Sequence, residues 1–88
     1  MKYVMFMQKK NLLTVYHPVI FANHMVHDEV AHALLKTESL TGFTVDSAGE
    51  YDPVSVECYG RSKTLGDDSK PKRDAEIIRT HDYGGGMK

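Results

Sequence analysis

Residues 3–7 read "YVMFM", five apolar side chains in succession. A strand sends successive side chains to opposite faces, so an unbroken apolar run with no helix cap ahead of it suits a strand covered on both faces. After "QKKN" the apolar residues resume as "LLTVYHPVIF", which predicts a hairpin turning near Lys9 to Asn11. Pro18 lies inside this second run. It has no amide proton for a ladder, so it belongs at an edge, a bulge or a break, and the second strand is open to being two short pieces.

From Asn23 the period changes. If residues 23 to 37 are helical, a step of about 100° per residue puts Val26, Val30, Ala33 and Leu34 on one side and Asp28, Glu29, His32 and Lys36 opposite. That pattern predicts an amphipathic helix lying on a sheet. Gly42 follows it, "FTV" opens a third strand, and "SAGEYDP" reads as a turn-rich connection. Val54, Val56 and Cys58 then alternate with Ser55, Glu57 and Tyr59, the clearest half-buried strand in the chain, with Cys58 in the inner set.

"GRSKTLGDDSKP" is a polar loop, with the strand free to continue through Arg61 and Lys63. Asp68 or Ser69 is placed to cap a second helix with Pro71 in its first turn and Ala75, Ile77 and Ile78 facing inward. It stops before "GGG", and residues 84–88 are expected to form a loose tail. The order ββαββα predicts an α+β fold: a small, mainly antiparallel sheet with two helices packed on one face, in a single domain over residues 1–83.

The bulk properties agree with one small domain. At 88 residues, a second domain would be too small to sustain its own core, and folding buries roughly 60–65% of the unfolded surface. Self-association into a homo-oligomer would add to that. With 41% hydrophobic and 26% charged residues the composition is that of a globular protein. Eleven basic residues against twelve acidic ones give a net charge of −1, so no global field draws the chain to nucleic acid or to a membrane. One cysteine permits no internal disulfide, and the N-terminal apolar run is too short for a signal peptide or a membrane span. A reducing, cytoplasmic setting is the expectation.

Three groups of residues carry chemistry. "NHMVHDEVAH", residues 23–32, places His24, Asp28 and His32 four apart, a stripe able to hold a metal ion if the helix is unbroken. His27 and His32 stand about 140° apart on the helical wheel, so all three histidines cannot serve one ion. The plainer alternative makes Asn23 or His27 the helix start, Asp28 and Glu29 the acids of its first turn, Asp28 and His32 an exposed pair, and His27 a satisfied, partly buried histidine. Cys58 beside a histidine would make a nucleophile and base, but its alternation with valines places it in the core, where cysteine packs. The third group is basic: Arg61, Lys63, Lys72 and Arg73 with Tyr59, suited to a phosphate or to single-stranded nucleic acid through charge and stacking.

The segments "HPVIF", "VHDEVAHAL", "CYGRSKTLG" and "DAEIIRTHDY", spanning residues 17 to 83, resemble short accessory proteins of tailed bacteriophages and prophages. The resemblance implies a protein of the bacterial host's cytoplasm that works by binding a host or phage protein, and it carries over no catalytic residue and no cofactor. Three readings follow. The first is a non-enzymatic, self-associating protein-binding module. The second is a nucleic-acid or nucleotide binder using Tyr59, Arg61, Lys63, Lys72 and Arg73. The third is a metal-binding protein or metal-dependent hydrolase using His24, Asp28 and His32.

Overall fold

The computed structural model describes residues 1–81, so the tail expected at residues 84–88 lies outside the described residues. Strands β1 (Lys2–Lys10) and β2 (Leu13–Phe21) pair antiparallel from Lys2↔Phe21 to Lys10↔Leu13 and turn through Asn11 and Leu12. Asn11 takes a φ of 60°, in the left-handed region that asparagine tolerates better than most residues. The ladder runs through Pro18 without a shift, so β2 is one continuous strand rather than two pieces. Its proline nitrogen must therefore sit on the outer side of the strand, where no ladder bond is lost.

Strand β3 (Thr44–Asp52) pairs antiparallel with the other side of β1, and the three-residue β4 (Glu57–Tyr59) pairs with β3. The sheet order is β2-β1-β3-β4. Strands β2 and β3 thus run parallel with β1 between them, and their connection has to cross a face of the sheet. Helix α1 (His27–Leu35) and a 3₁₀ turn at Glu38–Leu40 make that crossing. A short hairpin of two-residue strands, β5 (Arg61–Ser62) with β6 (Asp67–Asp68), precedes helix α2 (Pro71–Thr80).

Tyr3, Val4, Met5 and Phe6 are all fully buried. Val4 and Phe6 join Phe21, Val30, Ala31, Leu40 and Ala48 in one cluster under α1, while Tyr3 and Met5 join Tyr51, Cys58, Ala75 and Ile78 in another under α2. The two helices therefore cover opposite faces, which corrects the expectation that they share one. The apolar run of β1 demands this, because a strand oily on both sides needs cover on both.

Local expectations are narrowed or changed at three places. Of the two starts offered for α1, Asn23 and His27, the helix takes His27: Val26 is extended (φ −98°, ψ 132°), and residues before it form a turn in which the Met25 amide donates to the Ala22 carbonyl at 3.1 Å. Its buried residues are His27, Val30 and Ala31, with Leu34 half-buried and Ala33 exposed, so the inward face is rotated from the expected one.

"SAGEYD" continues β3 rather than turning. The small residues mark close approach, since a Cβ on Gly49 would lie 2.4 Å from the Tyr59 carbonyl oxygen. The alternation of Val54, Val56 and Cys58 holds only at its end. Residues 53–56 are a turn in which the Asp52 carboxylate accepts the Val54 amide at 2.9 Å, and Val54 is 93% exposed.

Candidate functional site

The histidine stretch does not gather. His24 lies in the turn before α1, exposed, while Asp28 and His32 form an exposed pair at 3.1 Å along the helix. Among the described residues no group of three or more His, Cys, Asp or Glu side chains converges to hold a metal ion. His27 is buried against Phe21, and its Nε2 lies 2.9 Å from the Gly49 carbonyl oxygen. A carbonyl only accepts, so Nε2 carries the proton and the ring ties α1 to β3.

Cys58 is buried beneath α2, and burial first, with the negative charge of Asp74 behind it, pushes its thiol up to about 11. It is a protonated packing residue at neutral pH, not a nucleophile.

The residues of the basic segment separate. Tyr59 and Arg61 are exposed on β4 and β5, and Lys63 is exposed on the turn of the β5–β6 hairpin. Lys72 instead lines a groove of about 410 Å³ between β4 and α2, alongside Glu57 and Arg79. Arg73 is engaged by two carboxylates. Its guanidinium donates to Asp46, to Asp74 Oδ1 at 2.8 Å and to Ser47 Oγ at 3.1 Å, and it lies 4.9 Å from the centre of the Tyr16 ring.

Arg73 thereby belongs to a cluster that no motif or period in the chain announces. Asp74 is fully buried on α2, and its Oδ2 accepts from Tyr3 Oη at 2.5 Å, Ser47 Oγ at 2.7 Å and the Lys70 amide at 3.0 Å, while Oδ1 accepts from Arg73. Every lone pair is used, which is how a buried charge is tolerated. A β-bulge makes the cluster possible. The register of β3 against β1 slips between Met5↔Ser47 and Phe6↔Val45, leaving Asp46 as the extra residue. Consecutive residues of a regular strand face opposite ways, yet here Asp46 and Ser47 both reach α2. Burial pushes the Asp46 carboxyl up, but hydrogen bonds from Arg73 and Lys70 outweigh it and hold the group below its ordinary value.

Two surface features complete the picture. The outer edge of β2 carries exposed Leu13 and Val15, next to a fully exposed Leu12, and an apolar groove of about 670 Å³ runs between the far end of β2 and α1, lined by Val19, Phe21, Met25, Val30 and Leu34 among others. A second cavity, about 290 Å³, lies where Lys2, Arg61, Lys63 and Thr64 meet the start of α1.

No protein family, curated protein or solved structure matches this chain. Among the described residues no helix is long and apolar enough to cross a membrane.

Proposed function

We propose that the protein is a non-enzymatic binding module, an accessory protein of the phage type, that captures an extended acidic segment of a partner protein along the outer edge of β2. The observation that carries this reading is the half-strand from Leu13 to His17, a sheet edge with exposed apolar side chains whose paired neighbours at the end of β1 are Lys9 and Lys10. An edge strand presents unpaired amides and carbonyls to any extended chain that matches it. Pro18 removes one outward donor, and the period of two places the amides of Thr14 and Tyr16 on the same outer side, so pairing is confined to the half before the proline.

Charge selects the partner. No Asp or Glu occurs before Asp28, whereas Lys9 and Lys10 stand exposed at the hairpin tip with no ion-pair partner among the described residues. A strand with alternating apolar residues flanked by Asp or Glu fits that edge. The two buried reactive groups support binding over catalysis, since Cys58 is protonated and Asp74 is saturated by its neighbours.

The test is selection from a displayed library of ten-residue peptides, followed by fluorescence anisotropy. Alternating apolar sequences with acidic flanks should be enriched, and should bind at least tenfold more weakly to Thr14→Pro, which removes an outward amide, and to Lys9→Glu/Lys10→Glu. Equal binding to Thr14→Pro would refute the edge. A second copy of the chain using the same edge would show as a mass that rises with concentration and falls when the peptide is added.

A further inference from the structure

The cavity at the start of α1 draws its lining from distant parts of the chain. Lys2 comes from β1, Arg61 from β5, and Lys63 and Thr64 from the β5–β6 turn, with His27 and Val26 at the helix start. The fold holds these groups together firmly. Leu65, next to Thr64, packs on the α1-side cluster, and Thr64 Oγ1 accepts the Asp28 amide at 3.1 Å. Three cations thus surround one small cavity in a chain whose net charge is −1.

Their charges are available. Lys63 has no ion-pair partner among the described residues. Arg61 meets Asp68 at 3.5 Å, but both side chains are more than half exposed, and such a pair is worth little and exchanges easily. Lys2 uses one of its three donors on the Met25 carbonyl at 2.9 Å. Against them the lining holds one carboxylate, Glu50. The acids of the first helical turn are directed elsewhere: Asp28 pairs with His32, and Glu29 lines the apolar groove.

We propose that this cavity binds the phosphate group of a small phosphorylated ligand, with Lys2, Arg61 and Lys63 as its cationic contacts and Thr64 as a hydroxyl contact. The arginine supplies a planar fork and the lysines point charges, the combination that suits a phosphate oxyanion. Tyr59, exposed and directly across the strand pair from Glu50, stands beside the cavity as a surface on which a base can stack. This site is separate from the proposed edge at Leu13 to His17: Lys2 pairs with Phe21, at the other end of the β1–β2 ladder from Leu13.

The experiment is a titration of the full chain with inorganic phosphate and, separately, with AMP at low ionic strength, followed by amide chemical shifts. Saturable shifts at His27, Asp28, Lys63 and Thr64 are expected with both. AMP binding several-fold tighter than phosphate identifies a nucleotide as the source, and equal affinity identifies free phosphate. Lys63→Glu, at an exposed turn position, should weaken binding at least tenfold, and Arg61→Lys, which keeps the charge but loses the fork, should weaken it by less. Lys36→Ala, at the exposed far end of α1, should leave the phosphate affinity unchanged. No saturable shift, shifts centred on Lys9 and Lys10, or an unchanged affinity in Lys63→Glu would overturn the proposal.

Discussion

The two faces of the sheet are held by different physics. Under α1 the contacts are almost wholly apolar, with Val4, Phe6, Phe21, Val30, Ala31, Leu40 and Ala48 packed together and the His27 bond to Gly49 as a buried polar tie. Under α2 an apolar cluster of similar size is joined by a saturated carboxylate that touches β1, β3 and the backbone at the helix start. Dispersion and the hydrophobic effect are non-directional, so the first face fixes that α1 is buried more firmly than how it is turned. Hydrogen bonds to a buried charge are directional and costly to break, so the second face fixes the placement of α2. The contrast predicts that equal-sized changes will be tolerated on one side and not on the other.

The largest effect should come from Asp74→Ala. It strands the Tyr3 hydroxyl, the Ser47 hydroxyl and the Lys70 amide and removes one partner of Arg73, and breaking a buried pair from one side costs about 3–5 kcal/mol. A domain of this size has on the order of 5–10 kcal/mol in total, so urea titration should show the midpoint collapsing. Next is the removal of a single oxygen. Tyr3→Phe should cost about 1.5–3 kcal/mol, because its partner is charged. On the other face Leu40→Met, a volume-conserving exchange, should cost less than about 1.5 kcal/mol. If Leu40→Met costs as much as Tyr3→Phe, the two faces do not differ in the way argued.

The same contrast explains what could be read from the chain. The apolar run at Tyr3 to Phe6 announces a central strand, and the inward set Ala75, Ile77 and Ile78 is found where the period places it. Periodicity reports apolar faces, and both helices were legible by it, but it missed the inward turn of α1, where the buried His27 and Ala31 take places the pattern gave to Val26 and Ala33. The cluster at Asp74 was not, because a buried aspartate looks like any surface acid in "KPKRDAE" until the sheet brings Tyr3 and Ser47 to it from 71 and 27 residues away. The bulge at Asp46 leaves no periodic trace either. The turn at residues 53–56 misled for the opposite reason, since its valines mimic a strand while Asp52 caps the bend. For the candidate sites, the basic residues were visible, but their division was not: Arg73 belongs to the α2 anchor, and Lys2, far off in sequence, belongs with Arg61 and Lys63.

Acid separates the edge from the anchor. His17 on β2 lies 5.2 Å, ring to ring, from His81 and also meets Phe43, and burial, then the neighbouring His81, lowers its pKa from the ordinary 6.5. A group with a lowered folded value contributes stability that is present above its unfolded pKa and is lost as pH falls toward the folded one. The urea midpoint should therefore begin to drop as pH passes below about 6.5, and His17→Phe should flatten that slope. Asp46 obeys the same sign but much lower, its contribution lasting until pH falls below 3.8. A wild-type midpoint that stays level from pH 7.5 to 5.5 would remove His17 from this account.

The smallest expected effect tests how far packing tolerates a strained backbone. Val56 has a φ of 56°, where the branched Cβ crowds the backbone, and it survives there because its side chain packs against the cluster under α2. Val56→Gly relieves a strain of about 1–2 kcal/mol and gives up a half-buried side chain worth a comparable amount. The two should nearly cancel, leaving the urea midpoint within about 1 kcal/mol of the wild type. Val56→Ala keeps the strain and loses most of the packing, so it should be the less stable of the two variants. The reverse order would show that the turn at residues 53–56 holds its shape through the Asp52 cap rather than through Val56, and that the α2 face depends on its polar anchor even more than its contacts suggest.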